Sequence, residues 1–282
     1  MKRGEILLDL RILDGWGFEL ERMNAGKEGG RYVYPDIFIK LLGYMRVLFH
    51  LPYRQTEGFL RALRRFDSRI QVPDYSTIDR RVNKLDVKLD EKAYGDDVVI
   101  ALDASGIKVT NRGEWIRRKW KVKRGYLKIH LAVDTKSKKI MSMDVTSEKV
   151  GDGKRLRKLV HEASEKAKVS KVLADGAYDS KKNFRYLAEK EIEPVIKVRK
   201  NTSSKAGGCM PRKHIAQEYL RDPKAWKRKH QYGQRWMVET AFSSLKRTFG
   251  EYVSAKTMQN MTNEMMIKAS LYNLFIGTLG NI

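Results

Sequence analysis

Residues 96–109 read DDVVIALDASGIKV, a stretch in which an apolar run leads directly into Asp103. A short, continuous apolar run that is rich in β-branched side chains predicts a buried strand. Residues 126–134, YLKIHLAVD, and residues 139–146, KIMSMDVT, predict two further strands, and the TKSKK segment between them is typical of a tight hairpin. This part of the chain therefore predicts three antiparallel strands.

Helical and strand patterns alternate after these strands. Residues 153–168 predict a helix, residues 171–179 (KVLADGAYD) a strand, and residues 180–191 a second helix. A strand at 193–200 and a long helix from about 231 to 249 follow. Strands joined by a crossover helix pair in parallel. Three antiparallel strands, then helix, strand, helix, strand and helix, is the order of the ribonuclease H fold, an α/β fold whose mixed sheet is flanked by helices.

The chain before Gly95 has helical periodicity. Residues 34–50 and 53–66 carry apolar residues at three- and four-residue intervals, and Ser76 with Asp79 resembles a capping box that starts another helix. A basic helix after a short turn is typical of a helix-turn-helix that reads a DNA groove. The cations that this helix would present are Arg80, Arg81 and Lys84. An ordinary helical bundle with a solvated basic face fits the same pattern equally well.

These patterns predict two domains. A small all-α domain, residues 1–94, would contain the helix-turn-helix at about 55–88. A ribonuclease H-like domain, residues 95–282, would contain a short basic insertion at about 201–230.

Composition restricts the partners and the compartment. Lysine and arginine number 58 against 34 aspartates and glutamates, which gives a net charge of +24. So large an excess favours a polyanionic partner, and nucleic acid fits best. A single cysteine, Cys209, excludes a disulfide framework and a cysteine-cluster zinc site. No apolar run approaches the roughly 18 residues that a membrane span needs. We therefore expect a cytoplasmic, nucleoid-associated protein with no membrane partner.

Two aspartates follow apolar strands. Asp103 follows VVIAL and Asp175 follows KVLA, so the two carboxylates meet if these strands are adjacent and parallel. A divalent cation relieves the repulsion between such carboxylates, and Mg²⁺ or Mn²⁺ is the expected occupant. Asp134 more simply begins a hairpin turn, and Asp179 more simply caps the following helix.

The last predicted helix carries a polar stripe. Tyr232, Arg235, Glu239 and Lys246 occur as YxxRxxxExxxxxxK, a spacing that places all four on one helical face at about 100° per residue. Apolar residues mostly occupy the other side. An arginine and a glutamate four residues apart also form simple surface salt bridges, but four polar residues in one stripe favour a functional face.

Together, the two aspartates and the YxxRxxxExxxxxxK stripe resemble the DDE-class insertion-sequence transposases of bacteria and archaea, which carry a tyrosine–arginine–glutamate–lysine (YREK) signature. The resemblance spans nearly the whole chain. It implies that Asp103, Asp175 and Glu239 are catalytic and hold Mg²⁺ or Mn²⁺, two ions in all. It also implies that the transposon end is held by Tyr232, Arg235 and Lys246.

The resemblance predicts a DNA transposase. Such an enzyme binds the ends of an insertion sequence and catalyses metal-dependent cleavage of double-stranded DNA and strand transfer into target DNA. Two ends must be handled together, so we expect a homodimer on paired ends. The strand-rich insertion that some members place before the final helix is here only the short segment at about 201–230, so the sequence leaves open whether the flanking DNA forms a hairpin. We also expect an additional amino-terminal segment to be missing before RGEILLDL.

A basic segment between the first two strands also fits contact with DNA. Its cations Arg117, Arg118 and Lys119 would track phosphates, and Trp115 and Trp120 would stack on exposed bases. A solvated loop flanked by core tryptophans fits equally well. Two other functions use the same fold: a ribonuclease H-like nuclease, and a catalytically inactive DNA-binding descendant of a transposase.

Overall fold

The computed structural model describes residues 14–89, 97–109, 125–199, 201–203 and 207–279. These residues form two compact units. A helical unit combines the described residues up to Lys88 with Ala255–Thr278, and an α/β unit comprises the described residues between Leu89 and Ser254. None of the helices in these ranges is both long and apolar enough to cross a membrane.

Within the described ranges, single turns of 3₁₀ helix lie at Asp152–Lys154, Gly176–Tyr178 and Tyr232–Arg235, in addition to the helices and strands. In chain order the elements are α1 (Trp16–Asn24), α2 (Asp36–Phe49), α3 (Tyr53–Leu63), α4 (Tyr75–Val82), β1 (Val98–Lys108), β2 (Tyr126–Asp134), β3 (Ile140–Ser147), α5 (Leu156–Ser164), β4 (Val169–Ala174), α6 (Lys181–Glu189), β5 (Glu193–Ile196), α7 (Met210–Arg221), α8 (Pro223–Lys229), α9 (Trp236–Phe249) and α10 (Met258–Leu279).

The α/β unit is built on a five-stranded sheet in the order β3-β2-β1-β4-β5. β2 is antiparallel to β1 and β3, whereas β4 is parallel to β1 and β5. Helix α5 packs against β2, β3 and β4, and α9 packs against β1 and β2. The predicted mixed sheet flanked by helices is therefore confirmed.

The central strands are apolar because both faces of the sheet are covered. Ile100 and Leu102 of β1 and Val172 of β4 are fully buried, and they share one core with Leu156 of α5 and Phe184 of α6. Strands with two covered faces are expected to be apolar throughout instead of alternating. The same run that identifies β1 in the sequence thus places it at the centre of the sheet.

The helical unit includes a helix that the sequence analysis did not predict. Helix α10 lies far along the chain from the other helices of this unit, and its residues were expected in the domain at 95–282. In the structure, Asn263 of α10 donates a hydrogen bond to the Val82 carbonyl at 2.6 Å, and the Ser270 hydroxyl lies 2.8 Å from that of Tyr44. The helical unit is therefore discontinuous in sequence.

A charged cluster is buried in this helical unit. Lys268 Nζ lies 3.0 Å from Glu264, which in turn lies 3.9 Å from Arg46. Burial lowers the pKa of Lys268, and the neighbouring Glu264 opposes that change. Breaking one partner of a buried ion pair leaves an uncompensated charge, so this cluster constrains how α10 fits against α2.

The helix-turn-helix expected at about 55–88 is not confirmed. Helix α3 ends at Leu63 and α4 begins at Tyr75, so their connection is far longer than the three- or four-residue turn of that motif. The cap of this helix also differs from the expected capping box of Ser76 and Asp79. Asp74 caps α4, and its carboxylate accepts hydrogen bonds from the backbone N–H groups of Ser76 and Thr77 at 3.0 Å each.

We predict that Leu271→Ala lowers the free energy of unfolding by about 2–5 kcal/mol, because Leu271 of α10 is fully buried and its truncation leaves a cavity. Leu274 lies on the same helix but is 37% exposed, so Leu274→Ala should cost less than about 1 kcal/mol. Urea denaturation followed by circular dichroism measures both. Equal losses would contradict the burial of α10.

Candidate active site

Parallel pairing of β1 with β4 brings Asp103 and Asp175 together. Ala101 pairs with Leu173, so the same register carried two residues further sets Asp103 opposite Asp175. The condition stated from the sequence, adjacent and parallel strands, is met. One detail differs: β1 does not end at Asp103 but continues to Lys108, paired with β2. Asp103 therefore lies where the pairing with β4 stops.

The two carboxylates have different surroundings. Asp103 accepts a hydrogen bond from the Ala104 N–H at 2.8 Å and another from Arg235 at 3.1 Å. Burial raises the pKa of Asp103; the negative charge of Asp175 raises it further, and the Ala104 N–H and Arg235 oppose the rise. Asp175 accepts the Ala177 N–H at 2.9 Å and begins the turn after β4.

The polar stripe faces this pair of strands. Arg235 donates from one terminal nitrogen to Asp103 and from the other to Glu239. Tyr232 donates to the Ala174 carbonyl at 3.3 Å, and Lys246 donates to the Ser105 hydroxyl at 2.8 Å. In backbone terms the stripe has two parts, because Tyr232–Arg235 is a 3₁₀ turn and α9 begins at Trp236.

The Arg235 guanidinium is the cation that lies between Asp103 and Glu239. Its side chain is mostly buried, whereas that of Glu239 is about half exposed. Burial lowers the pKa of Arg235, but Tyr232, Asp103 and Glu239 more than offset this and raise it. Within the described ranges, no three histidine, cysteine or carboxylate side chains are close enough to share a metal ion.

Tyr232 is held in place by its neighbours. Its ring packs against Trp226 of α8 at a centroid distance of 5.3 Å. Burial raises the pKa of Tyr232 to about 12. The hydroxyl is therefore a neutral hydrogen-bond donor near pH 7, and its bond to Ala174 ties the 3₁₀ turn to the end of β4.

The two other aspartates have structural roles. Asp134 accepts backbone N–H groups from Lys136 and Ser137 at 3.2 and 2.9 Å, as expected for a turn residue. The interpretation of Asp179 as a helix cap is wrong, because Ser180 caps α6. Asp179 instead forms two hydrogen bonds with Arg212 of α7, at 2.6 and 2.9 Å.

The Asp179–Arg212 pair connects the insertion to the turn that follows Asp175. Asp179 is buried and also accepts the Arg199 N–H at 3.0 Å. Burial alone would raise the pKa of Asp179, but the hydrogen bonds from Arg212 and Arg199 outweigh it and lower the pKa. The described part of the insertion at 201–230 thus consists mainly of α7 and α8, with α7 anchored beside the candidate site.

Sequence reasoning missed three residues near the site. Arg212 carries no local signal, since only the fold brings it to Asp179. Tyr178 lies in the DGAYD turn and is fully buried. Burial first, and then the carboxylates of Asp152, Asp103 and Asp175, raise its pKa. Trp236, next to Arg235, is 57% exposed, and an exposed tryptophan is a stacking surface for a nucleobase.

The expected DNA contacts at Arg117, Arg118 and Lys119, with Trp115 and Trp120, lie outside the described residues. Arg80, Arg81 and Lys84 belong to the helical unit. Arg80 and Lys84 are exposed, whereas Arg81 is partly buried and lies 2.7 Å from Asp36.

A mixed sheet with paired carboxylates and a bridging arginine defines an α/β protein with a charged polar site at the sheet edge. The family model described as "Transposase DDE domain" matches residues 94–274, which is more than half of the chain, and a second model of the same description matches residues 1–112. The chain belongs to the DDE transposase family, and it is an enzyme of that class.

Three solved structures show distant similarity to this chain. The match to the piggyBac transposase synaptic complex with hairpin DNA spans 99% of this chain and 74% of the piggyBac chain, at 12% identity and a TM-score of 0.43. The match to the Drosophila P element transposase strand transfer complex spans 93% of this chain and 70% of the P element chain, at 12% identity and a TM-score of 0.32. The match to the simian T-cell lymphotropic virus intasome in complex with PP2A regulatory subunit B56 gamma spans 79% of this chain and 66% of the matched chain, at 10% identity and a TM-score of 0.31.

We predict that Asp179→Ala lowers the free energy of unfolding by about 3–5 kcal/mol, because it leaves the Arg212 guanidinium partly buried without its partner. Asp97→Ala is the matched control: Asp97 is half exposed and pairs with Lys168 at 3.1 Å, so its loss should cost about 1 kcal/mol or less. Denaturant titration of the three proteins measures the difference.

The pH dependence checks the same pair. The pKa of Asp179 is lowered in the folded protein, so its contribution to stability is present above the ordinary value of 3.8 and is lost as the pH falls through the folded value. The stability difference between wild type and Asp179→Ala should therefore narrow in acid. A difference that widens below pH 4 would contradict the ion pair.

Proposed function

We propose that this chain is an insertion-sequence transposase that binds the ends of its element and catalyses metal-dependent DNA strand cleavage and strand transfer into target DNA. The observation that carries the proposal is the Arg235 bridge, because one guanidinium joins Asp103 of β1 to Glu239 of α9 beside Asp175. Two carboxylates, one from a strand and one from a helix, thus share one cation at the edge of the sheet, and the strand register sets the third, Asp175, opposite Asp103.

The donor set suits divalent metal ions. Asp103, Asp175 and Glu239 offer hard carboxylate oxygens, which are the ligands that Mg²⁺ and Mn²⁺ prefer. The repulsion from Asp175 that raises the pKa of Asp103 is the repulsion that a bound cation relieves. We propose that these three residues hold the catalytic ions, two in all, once the Arg235 guanidinium has left its position between Asp103 and Glu239.

The residues around the carboxylates would orient DNA. When bound, such metal ions supply an activated water and stabilise the charge on a leaving 3′ oxygen. Lys246 donates to the hydroxyl of Ser105, two residues beyond Asp103, and Tyr232 donates to the carbonyl of Ala174, the residue before Asp175. We propose that Tyr232, Arg235 and Lys246 form the YREK signature with Glu239 and hold the transposon end.

Charge supports double-stranded DNA as the partner. A net charge of +24 favours phosphate backbones and predicts binding that weakens steeply with salt. We propose that two copies assemble on paired transposon ends at the nucleoid, since both ends must be cut and joined together. Light scattering of the complex with end DNA measures the number of copies bound. A single copy holding two ends would contradict the proposed dimer.

We predict that Asp103→Asn, Asp175→Asn and Glu239→Gln each reduce Mg²⁺-dependent cleavage by about a thousandfold or more, since each removes a charged ligand oxygen. Nicking of supercoiled plasmid measures the rate, and a gel shift checks that DNA is still bound. Asp134→Asn is the control, because Asp134 also ends a strand but belongs to a turn. If Asp134→Asn were as inactive as Asp103→Asn, the assignment of the three carboxylates would fail.

We predict that Lys246→Ala weakens the complex with a matched transposon end and reduces cleavage, and that Mn²⁺ does not restore the rate. Lys246 would position a phosphate, and a displacement of about 1 Å costs on the order of a hundredfold in rate. Arg235→Ala should behave alike. Gel-shift titration on an end duplex, run beside cleavage assays in each metal, measures both effects.

Glu239→Asp is the contrasting variant. It keeps the charge but shortens the ligand, so Mn²⁺ should restore part of its activity while the affinity for the end is unchanged. Wild-type binding and cleavage by Lys246→Ala would make this lysine an ordinary surface charge and would remove the signature from the proposal.

A further inference from the structure

The helical unit contains a basic pocket that the proposed cleavage site does not use. The pocket has a volume of about 560 Å³ and lies between the segment from Gly30 to Asp36 and helix α4 with the turn after it. Its polar lining includes Arg31, Tyr34, Thr77, Arg80 and Lys84. All of these residues belong to the helical unit, so the pocket is complete within it.

Hydrogen bonds hold the segment that forms one wall of the pocket. Asn24 pairs with the backbone of Tyr32 in both directions, at 3.0 and 2.7 Å. Arg81 donates to the Tyr34 carbonyl at 2.9 Å and to the Asp36 carboxylate at 2.7 Å. Its guanidinium also lies 4.6 Å from the centroid of the Tyr32 ring. The wall is therefore a supported structure and not a loose loop over α4.

The remaining cations of the pocket are available to an anion. Arg81 is neutralised by Asp36, the acidic residue in the lining. Arg31, Arg80 and Lys84 are exposed, and none of them forms a salt bridge with an acidic residue in the described part of the chain. Three cations that converge on one cavity without a neutralising partner favour binding of an anion with several oxygen acceptors.

We propose that this pocket binds a phosphodiester group of a DNA strand, with the attached nucleoside beside Tyr34. Arg31, Arg80 and Lys84 donate to the phosphate oxygens. A pocket of about 560 Å³ is larger than a phosphate alone requires and has room for the sugar and base. The choice of DNA as the source of the phosphate rests on the proposed function; the chemistry of the pocket does not.

This mode of binding differs from a helix that reads a groove. A recognition helix presents its cations on a convex face, and Arg80, Arg81 and Lys84 would all point at the duplex. Here Arg81 is turned against the wall and pairs with Asp36, so the cations of α4 line a concavity. The pocket should therefore recognise a strand through its backbone, largely without regard to base sequence.

The test is equilibrium binding of a labelled six-nucleotide oligothymidylate to the full chain, followed by fluorescence anisotropy. Arg80→Ala and Lys84→Ala should each weaken binding about tenfold, because each removes a charge-assisted contact to phosphate. Arg65→Ala is the matched control: Arg65 is an exposed arginine of the same unit outside the pocket, and its loss should change affinity less than twofold. Thermal melting verifies that all variants are folded.

Two further arms identify the ligand. An oligothymidylate whose phosphates are replaced by uncharged methylphosphonates should lose the binding that Arg80 and Lys84 provide, and thymidine alone should not compete. If Arg80→Ala and Lys84→Ala bind like Arg65→Ala, or if the uncharged strand binds as tightly as the charged one, the pocket is not a phosphodiester site.

The Asp103→Asn variant separates this proposal from the proposed function. It should bind the oligothymidylate with wild-type affinity, because Asp103 belongs to the other unit. If Asp103→Asn still cut DNA while the pocket variants lost the strand, the proposed cleavage site would fail and the pocket would stand. Loss of plasmid nicking in Asp103→Asn, with no effect of the pocket variants on binding, would overturn the pocket alone.

Discussion

The parallel pairing of β1 with β4 is the constraint on which the candidate site depends. Side chains on adjacent parallel strands reach the same edge of the sheet, so the register that joins Ala101 to Leu173 also sets Asp103 beside Asp175. Two carboxylates so close repel each other, and the repulsion contributes to the raised pKa of Asp103. The Arg235 guanidinium, which bonds Asp103, offsets part of this rise.

Hydrogen bonds hold the two turns that lie next to the candidate site. The turn after Asp175 is held by the bond between Asp179 and Arg212, and the turn before α9 by the bond from Tyr232 to Ala174. A carboxylate held by packed, hydrogen-bonded neighbours keeps its geometry when a substrate binds. The short insertion thus supports the candidate site, because Arg212 of α7 bonds Asp179.

Much of the fold and of the site was predictable because it depends on local pattern. A continuous apolar run predicts a strand covered on both faces, and the alternation of strands with helices predicts parallel pairing. These two facts place Asp103 and Asp175 after apolar strands, and the adjacency of β1 and β4 that brings the two together is seen only in the structure. Helical periodicity placed Tyr232, Arg235 and Lys246 on one face of a single helix. In the structure Tyr232 and Arg235 lie in a 3₁₀ turn before α9, yet all three side chains contact β1 or the end of β4.

The sequence by itself determined the strands, the order of strands and helices along the chain, and the position of two aspartates after apolar runs, since periodicity and apolar runs are properties of neighbouring residues. Only the tertiary structure decided that α10 belongs to the helical unit, that Asp179 pairs with Arg212, and that Arg81 turns toward Asp36. These contacts join residues that are distant in the chain, and the sequence offers several possible partners for each of them. Their physical basis is the burial of apolar surface and the pairing of buried charge, which depend on the folded chain as a whole.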